Sequence, residues 1–344
     1  MLKTVEVPLA GHPDKVCDQI VDAILDEYLR RDPKSRVDLQ ALGSNGMLMV
    51  GGTVDSRADF DCGELAKRVY QQIGYSDEIE PFINIERPAE DLSRNIVNGG
   101  AQGTTIVYGY ATKETREYLP RAYVYANAIA RRIDDLRRMD ETFAWMCPDG
   151  KVQLTMDGER PVCVTVLVQH IDKMNLQQIQ TQLVDRVVVP ILGEHSGMKL
   201  FINSAGAFCA GGFSASAGAS GRKALADTYG GLLPSGGASI SGRDPWKPHR
   251  AGMYMARYAA KKLVARGVAG NVLISAGYAI GQPEPVFLQA HGGKGEDLTE
   301  KVKQEFDFRP EAIVERLDLA KPMYQQVSTY GHFGREGVPW EEVD

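Results

Sequence analysis

Near the start of the chain apolar side chains recur every four residues, at Val16, Ile20, Ile24 and Tyr28, with Val21, Leu25 and Leu29 beside them. That spacing predicts an amphipathic helix, and Pro13 suits its opening turn because the first helical position needs no backbone donor. Two extended runs around 43–46, DLQAL and MLMVGG, predict a hairpin. VQLTM and VCVTVLVQH predict a second, joined through Asp157-Gly158. Helical periodicity returns at 62–72, 122–139, 176–192 and 298–306. It appears again after Pro248, where Met253, Ala256, Ala260, Leu263 and Val264 share a pattern that closes at Gly267. Strands plus one or two helices thus fall in each third of the chain. The expected fold class is α+β, built from three similar units with joints near 98–103 and 206–213, where glycines cluster; no residue-level repeat is visible.

The 344 residues hold 45 acids against 39 Lys and Arg, so a nonspecific nucleic-acid surface is not expected. Cys17, Cys62, Cys147, Cys163 and Cys209 lack CxxC or CxH spacing, which argues against a disulfide framework and a structural zinc site. The opening MLKTVEVPLAGHPDK has no apolar signal core, and no later stretch reaches membrane-spanning length. A soluble cytoplasmic protein is the expectation.

Against this acidic background the segment 211–250 stands apart. GGFSASAGASGRKALADTYGG is followed by SGGASISGRDPWKPHR, which presents Arg222, Lys223, Arg243, Lys247 and Arg250 among glycines and small residues. Glycine lets backbone amides approach an anion closely, and fixed cations add charge, so the run suits a pocket for several phosphates. A flexible connector with solvated cations has the same composition. The helix opening at Pro248 favours the pocket, because Lys247 and His249 then sit at a helix N-terminus, where free N–H groups and the macrodipole attract anions.

Other chemistry-bearing residues lie far away in sequence. Gly11-His12-Pro13-Asp14-Lys15 gathers an imidazole, a carboxylate and an ammonium at one helix entrance. By default Asp14 there is a capping or dipole-favoured carboxylate and His12 a hydrogen-bonded turn residue. Lys151 follows Cys147-Pro148-Asp149-Gly150, a turn-like run in which a lysine is ordinarily solvated.

These segments carry a family resemblance. GHPDK with DQI (11–15, 18–20), YGYATKET (108–115), CPDGK-VQ (147–153), FINSAGAF (201–208), GRK and DTYGG (221–223, 227–231), YAIGQPEP (278–285) and YGHFGRE with PWE (330–336, 339–341) resemble the S-adenosylmethionine synthetase family, also called methionine adenosyltransferases. The motifs keep the family's order and span nearly the whole chain. The resemblance implies three interleaved α/β subdomains with mixed sheets, at 1–98, 99–210 and 211–344. It also implies a homodimer with active sites between subunits, often paired into a tetramer. The implied reaction uses ATP, methionine and Mg²⁺: the methionine sulfur attacks C5′ of ATP, the whole tripolyphosphate leaves, and it is hydrolysed before release.

Carried over residue by residue, the resemblance makes His12 the active-site histidine, Asp14 a magnesium ligand and Glu6 an acid close to both. It makes Lys151, Arg222, Lys223 and Lys247 the cations of the polyphosphate, with Arg243 where the family has lysine. Lys15 and Asp149, inside matched motifs, join the phosphate-binding set, and Phe208 and Ile280 lie near the nucleotide. The departures share a sign. Thr53, Ala101 and Ser216 stand where the family has acids on the substrate side, with Gln102 beside Ala101, and His249 replaces a magnesium aspartate. His249 could bond a phosphate oxygen directly when protonated. Gln40 replaces a glutamate associated with monovalent-cation binding, so a potassium requirement is left open. The gating loop around 84–98 is short and lacks the family's glutamine. An ammonium without a carboxylate partner is poorly compensated, and Glu86, Glu90 or Asp91 could supply one. Three readings follow: a divergent S-adenosylmethionine synthetase, an ATP-using adenosyltransferase with another nucleophile, and a nucleotide-binding partner subunit without activity. Retention of His12, Asp14 and Lys151 together counts against the last.

Overall fold

The computed structural model describes residues 2–89, 99–194, 196–237 and 239–343. A short strand, β1 (Leu2–Pro8), leads into the long helix α1 (Pro13–Arg31), with Pro13 in its first turn as the spacing required. The first hairpin joins β2 (Arg36–Ser44) to β3 (Met47–Asp55) through Asn45-Gly46, both at positive φ. That is the turn chemistry that matches the twist of antiparallel strands. After α2 (Cys62–Ile73) and β4 (Glu80–Glu86), β5 (Thr105–Thr112) and α3 (Arg121–Met139) follow. The second hairpin is β6 (Met146–Asp157) with β7 (Arg160–His170), turning through Gly158 at positive φ.

The single helix expected over 176–192 is interrupted. It forms α4 (Leu176–Leu183), passes through a π-helical turn at Val184–Val188 and ends as α5 (Val189–Leu192). Pro190 lacks the N–H that would continue the ladder, and a wide turn before it absorbs the mismatch. The last third holds β8 (Lys199–Ile202), β9 (Gly218–Ala219), α6 (Ala224–Thr228), α7 (Pro248–Ala265), β10 (Asn271–Tyr278), β11 (Phe287–Gly292), α8 (Thr299–Glu305) and α9 (Pro310–Arg316). No helix of the described residues is long and apolar enough to cross a membrane.

Three sheets result, ordered β1-β6-β7-β8, β4-β3-β2-β9 and β11-β10-β5. The first two are mixed, because β8 joins β7 and β4 joins β3 in parallel; the third is antiparallel. Interleaving takes the form of strand exchange between distant segments. β1 pairs with β6 from Leu2↔Asp157 to Pro8↔Lys151, β9 joins β2 at Leu42–Gly43, and β5 pairs with β10 along its length. The helix α7 lies so close on β5 that a side chain at Gly109 would meet the Ala256 carbonyl carbon at 2.0 Å.

Besides its apolar face, α1 carries Asp14, Asp18, Asp22 and Asp26. With 3.6 residues per turn, four-residue spacing keeps these carboxylates on one side, and each binds the C-terminal third. Asp14 accepts from the Ala219 N–H (2.9 Å), Asp18 from Gly221 (2.7 Å) and Asp22 from Gly242 (2.8 Å). Asp26 accepts from the N–H groups of Met323, Tyr324 and Gln325, each at 2.9 Å. Buried cations complete the ladder. Lys15, expected among the phosphate ligands, is fully buried between Asp18 (2.7 Å) and Asp227 (2.6 Å), where it cannot meet a substrate. Arg250, the last cation of the glycine-rich segment, is buried against Asp22 at 2.6 Å and donates to the Ile240 and Arg243 carbonyls. Burial pushes the Asp26 carboxyl up to about 6 despite its three donors, and Asp227 up to about 7 despite Lys15.

Removing one partner of a buried pair strands the other charge. Arg250→Met should therefore cost about 3–5 kcal/mol in urea unfolding, and adding Asp22→Asn should recover part of that loss. A cost below about 1 kcal/mol, the level of an ordinary surface change, would show that the ladder does not support the fold.

Candidate functional site

The ladder fixes the first group of site residues. Ala219 and Gly221 are tied to Asp14 and Asp18, so Arg222 and Lys223, next in the chain, are held over the entrance of α1. From the other side comes the 147–150 run. It is not a turn but a bulge within β6, whose register jumps from Met146↔His170 to Gly150↔Val168. The bulge rests on Gly11, where a Cβ would meet Pro148 at 2.4 Å, and it sets Lys151 opposite Pro8. Lys151 is consequently not a free solvated lysine: its Nζ lies 3.1 Å from Glu6. Asp149, expected at the phosphates, is buried instead and accepts from the Gly212 N–H at 2.9 Å, anchoring the start of the glycine-rich run. Burial pushes its carboxyl up to about 6.

Glu6, His12, Asp14, Lys151, Arg222 and Lys223 thus converge. Arg222 reaches Asp14 at 2.7 Å, and Lys223 lies 3.6 Å from Asp14 and 3.7 Å from Glu6. His12 is the N-cap of α1, and its Nδ1 accepts from the Asp14 N–H at 3.2 Å. With Nδ1 accepting, the neutral ring carries its proton on Nε2. Burial, reinforced by Lys223 and Lys151 against the pull of Asp14, lowers His12 to about 4, so the imidazole is neutral at pH 7. Burial alone would raise Asp14, but the Arg222 guanidinium and the Ala219 N–H outweigh it and hold the carboxyl below its usual range. One oxygen, Asp14 Oδ2, is buried with no hydrogen-bond partner, and faces the Lys223 Nζ at 3.6 Å and His12 Nδ1 at 3.8 Å. A hard cation suits such an orphaned oxygen. No three His, Cys, Asp or Glu side chains gather as a metal cage among the described residues, so further ligands would be water and substrate oxygens.

Arg243, Lys247 and His249 form a second group elsewhere. Asp244 exchanges hydrogen bonds with Val37, which fastens this segment to the start of β2, and Lys247 becomes the N-cap of α7. Both cations bind one carboxylate that the sequence reading missed: Asp38 contacts the Arg243 guanidinium and lies 3.2 Å from Lys247. The alternating pattern of β2, which puts Asp38, Gln40 and Leu42 on one face, was the available signal. His249 packs its ring against Gly103, and its buried Nδ1 has no hydrogen-bond partner. Burial and the neighbouring Arg243 and Lys247 lower it to about 4, which leaves it neutral at pH 7 rather than an added cation for phosphate.

The 99–104 loop joins this second group. Ala101, expected to face a substrate, is completely buried, with its backbone bonded to Gln282 and Gly281; Gln102 beside it is half-buried. Ile280 is half-exposed, and its N–H donates to Thr104. Thr53 lies opposite Asp38 on one side and Glu86 on the other, so Asp38, Thr53 and Glu86 form a row across the sheet. Glu90 and Asp91 lie outside the described residues. The remaining expected residues belong to neither cation group: Phe208 is held by two hydrogen bonds with His170, and Ser216 is exposed in the loop before β9.

The glycine-rich segment suits a single phosphate pocket by composition, yet its two pairs of cations join different groups. Asp14 is linked through β9 to Leu42 and Gly43, whereas Asp38 lies four residues back along β2, about 13 Å at strand spacing. No ion pair joins the groups among the described residues. Between them sits Gln40, a neutral amide whose oxygen accepts from Ser220.

The sequence matches models of the S-adenosylmethionine synthetase N-terminal domain at 1–87, central domain at 98–208 and C-terminal domain at 210–342. It is 38% identical over 370 residues to an S-adenosylmethionine synthase of Sorangium cellulosum, covering 99% of this chain and 87% of that protein. It is 37% identical over 391 residues to that of Petrotoga mobilis, covering 100% and 96%, and 37% identical over 375 residues to that of a Sulfurovum species, covering 99% and 95%.

A histidine held neutral by the fold makes the fold weaken as pH falls from about 6.5 towards 4, since the unfolded chain takes up the proton first. Imidazole NMR of the free protein should show His12 neutral, with Nε2 protonated, down to about pH 5. Titration near 6.5 would mean that the ring is not buried at the α1 entrance in solution.

Proposed function

The chain belongs to the S-adenosylmethionine synthetase family, and from that membership we propose how its two groups of residues make S-adenosylmethionine from ATP and methionine. It is a methionine adenosyltransferase: the sulfur attacks C5′ of ATP, and the tripolyphosphate leaves and is split into phosphate and pyrophosphate. The observation that carries the reading is the gathering of Lys151, Arg222 and Lys223 around His12 and Asp14, in a chain similar to such synthases over its full length.

The leaving group concentrates about four negative charges, and preorganised cations are what make its departure fast. Lys151, Arg222 and Lys223 take it from one side. His12 offers its Nε2–H to the oxygen that parts from C5′; with Nδ1 accepting from the Asp14 N–H, Nε2–H is the one donor that the neutral ring presents. Asp14 Oδ2, with phosphate oxygens and water, would hold Mg²⁺. Bound there, the metal would neutralise charge developing on the polyphosphate. His249 is a poor substitute for a carboxylate toward this ion. Phe208 and Ile280 provide apolar surface for the adenine. Gln40, neutral and engaged, is assigned no cation.

Arg243 and Lys247 complete the phosphate site from a second subunit. Two features support that arrangement: the groups are separate within one chain, and Leu42, Met47, Met49 and Phe82 are all exposed on the β4-β3-β2 sheet. An apolar sheet face rimmed by charge is the usual mark of an interface. Because one chain carries both groups, a homodimer supplies two full sites and requires no homologous partner. Near Thr53 the substrate ammonium has Glu86, one strand away, as its carboxylate, in place of the buried Ala101.

Purified protein given ATP, Mg²⁺ and methionine should yield S-adenosylmethionine, phosphate and pyrophosphate, and Glu86→Gln should raise the methionine KM about tenfold or more with little change for ATP. No product at any methionine concentration, with ATP consumed when other thioethers are supplied, would shift the assignment to a different nucleophile.

A further inference from the structure

Arg243 and Lys247 already hold an anion, and it belongs to the chain. The two oxygens of Asp38 are shared between them, Oδ1 to the Arg243 guanidinium and Oδ2 to Lys247 at 3.2 Å. A backbone bridge between Asp38 and Arg243 fixes the distance between the two strands of chain, and the Arg243 carbonyl is pinned by the buried Arg250. Neither side of the clasp can drift away. Across the sheet, Gly52 at φ +142° backs onto Asp38, where a Cβ would strike its carbonyl oxygen at 2.0 Å, so β3 follows the Asp38 backbone closely. The side chain of Asp38 is 35% exposed, while those of Arg243 and Lys247 are only 16% and 13% exposed. The carboxylate is therefore the outermost member of the trio.

A half-exposed carboxylate on two partly buried cations has the geometry that a phosphate oxygen pair would need, because both anions use the same donors. We propose that Asp38 is a built-in competitor of phosphate, which closes the Arg243–Lys247 fork in the free protein and must be displaced by the polyphosphate. It thereby sets how tightly the site keeps polyphosphate and how readily the cleaved products leave. The buried Asp244 acts on both cations throughout; beside it, an incoming anion meets two cations and one outer carboxylate with Asp38 in place, and the two cations alone without it. A carboxylate that merely positioned the cations would act in the opposite sense, since its removal would loosen anion binding. The inference rests on the reading that Arg243 and Lys247 carry the polyphosphate.

The test is calorimetric titration of diimidotriphosphate, a tripolyphosphate analogue whose N–H bridges resist hydrolysis, with Mg²⁺, into the wild-type protein and the Asp38→Asn and Asp38→Glu variants. Asp38→Asn should bind about tenfold more tightly, with the gain shrinking as salt is raised. Asp38→Glu, which keeps the charge, should stay within about threefold of wild type. Asp38→Ser carries the same expectation as Asn if the Asn variant does not fold. Equal or weaker binding by the charge-removing variant, in a wild type that binds the analogue and makes S-adenosylmethionine, overturns the competitor role alone. A wild type that does neither overturns the functional reading as well.

Discussion

Everything in the site depends on the carboxylates that α1 buries against the C-terminal third of the chain. Asp14, Asp18, Asp22 and Asp26 are successive rungs, and each would be costly in a protein interior without the N–H groups and cations it receives. That requirement works in both directions. The glycine-rich segment is held by a few widely spaced buried side chains, Phe213, Tyr229 and Ile240, and the rungs give the stretches between them fixed attachment points at Ala219, Gly221 and Gly242. Cations can then project at fixed positions from a segment rich in glycine and small residues.

The rungs also divide the segment. Arg222 and Lys223 follow the first two attachment points and face His12 and Lys151, whereas Arg243 follows the third and, with Lys247, faces β2. Each group is partly neutralised within the chain, by Glu6 and Asp14 in one case and Asp38 in the other. Cations gathered without such partners would repel one another and destabilise the fold before any substrate arrived. The separation of the groups and the exposed apolar face of the β4-β3-β2 sheet occur together, as the two-subunit proposal requires.

Much of this was legible in the sequence. The apolar spacing of α1, both hairpins and the α7 start at Pro248 follow from local rules that tertiary contacts did not override. The cations were legible as residue types but not by depth. Lys15 and Arg250 are the same residue types as Lys223 and Lys247, and only their full burial against Asp18, Asp227 and Asp22 separates them from the partly exposed pair. The four-residue recurrence of Asp on α1 was visible too, as was the alternation that places Asp38 on an outer face. What these faces meet is set by strand exchange between segments more than a hundred residues apart, which no local pattern encodes. The 147–150 run looked like a turn because Pro-Asp-Gly usually makes one; pairing of β6 with both β1 and β7 turned it into a bulge.

The central claim is that one catalytic site combines the His12 group of one subunit with the Lys247 group of another. Subunit exchange between inactive Lys223→Ala and Lys247→Ala proteins tests it most directly. About half the dimers formed from equal amounts are mixed, and in each of these one site receives both intact groups, so turnover should return to about a quarter of wild type. If the mixture stays as inactive as either parent while mixed dimers are present, both groups act within a single chain and the account is wrong.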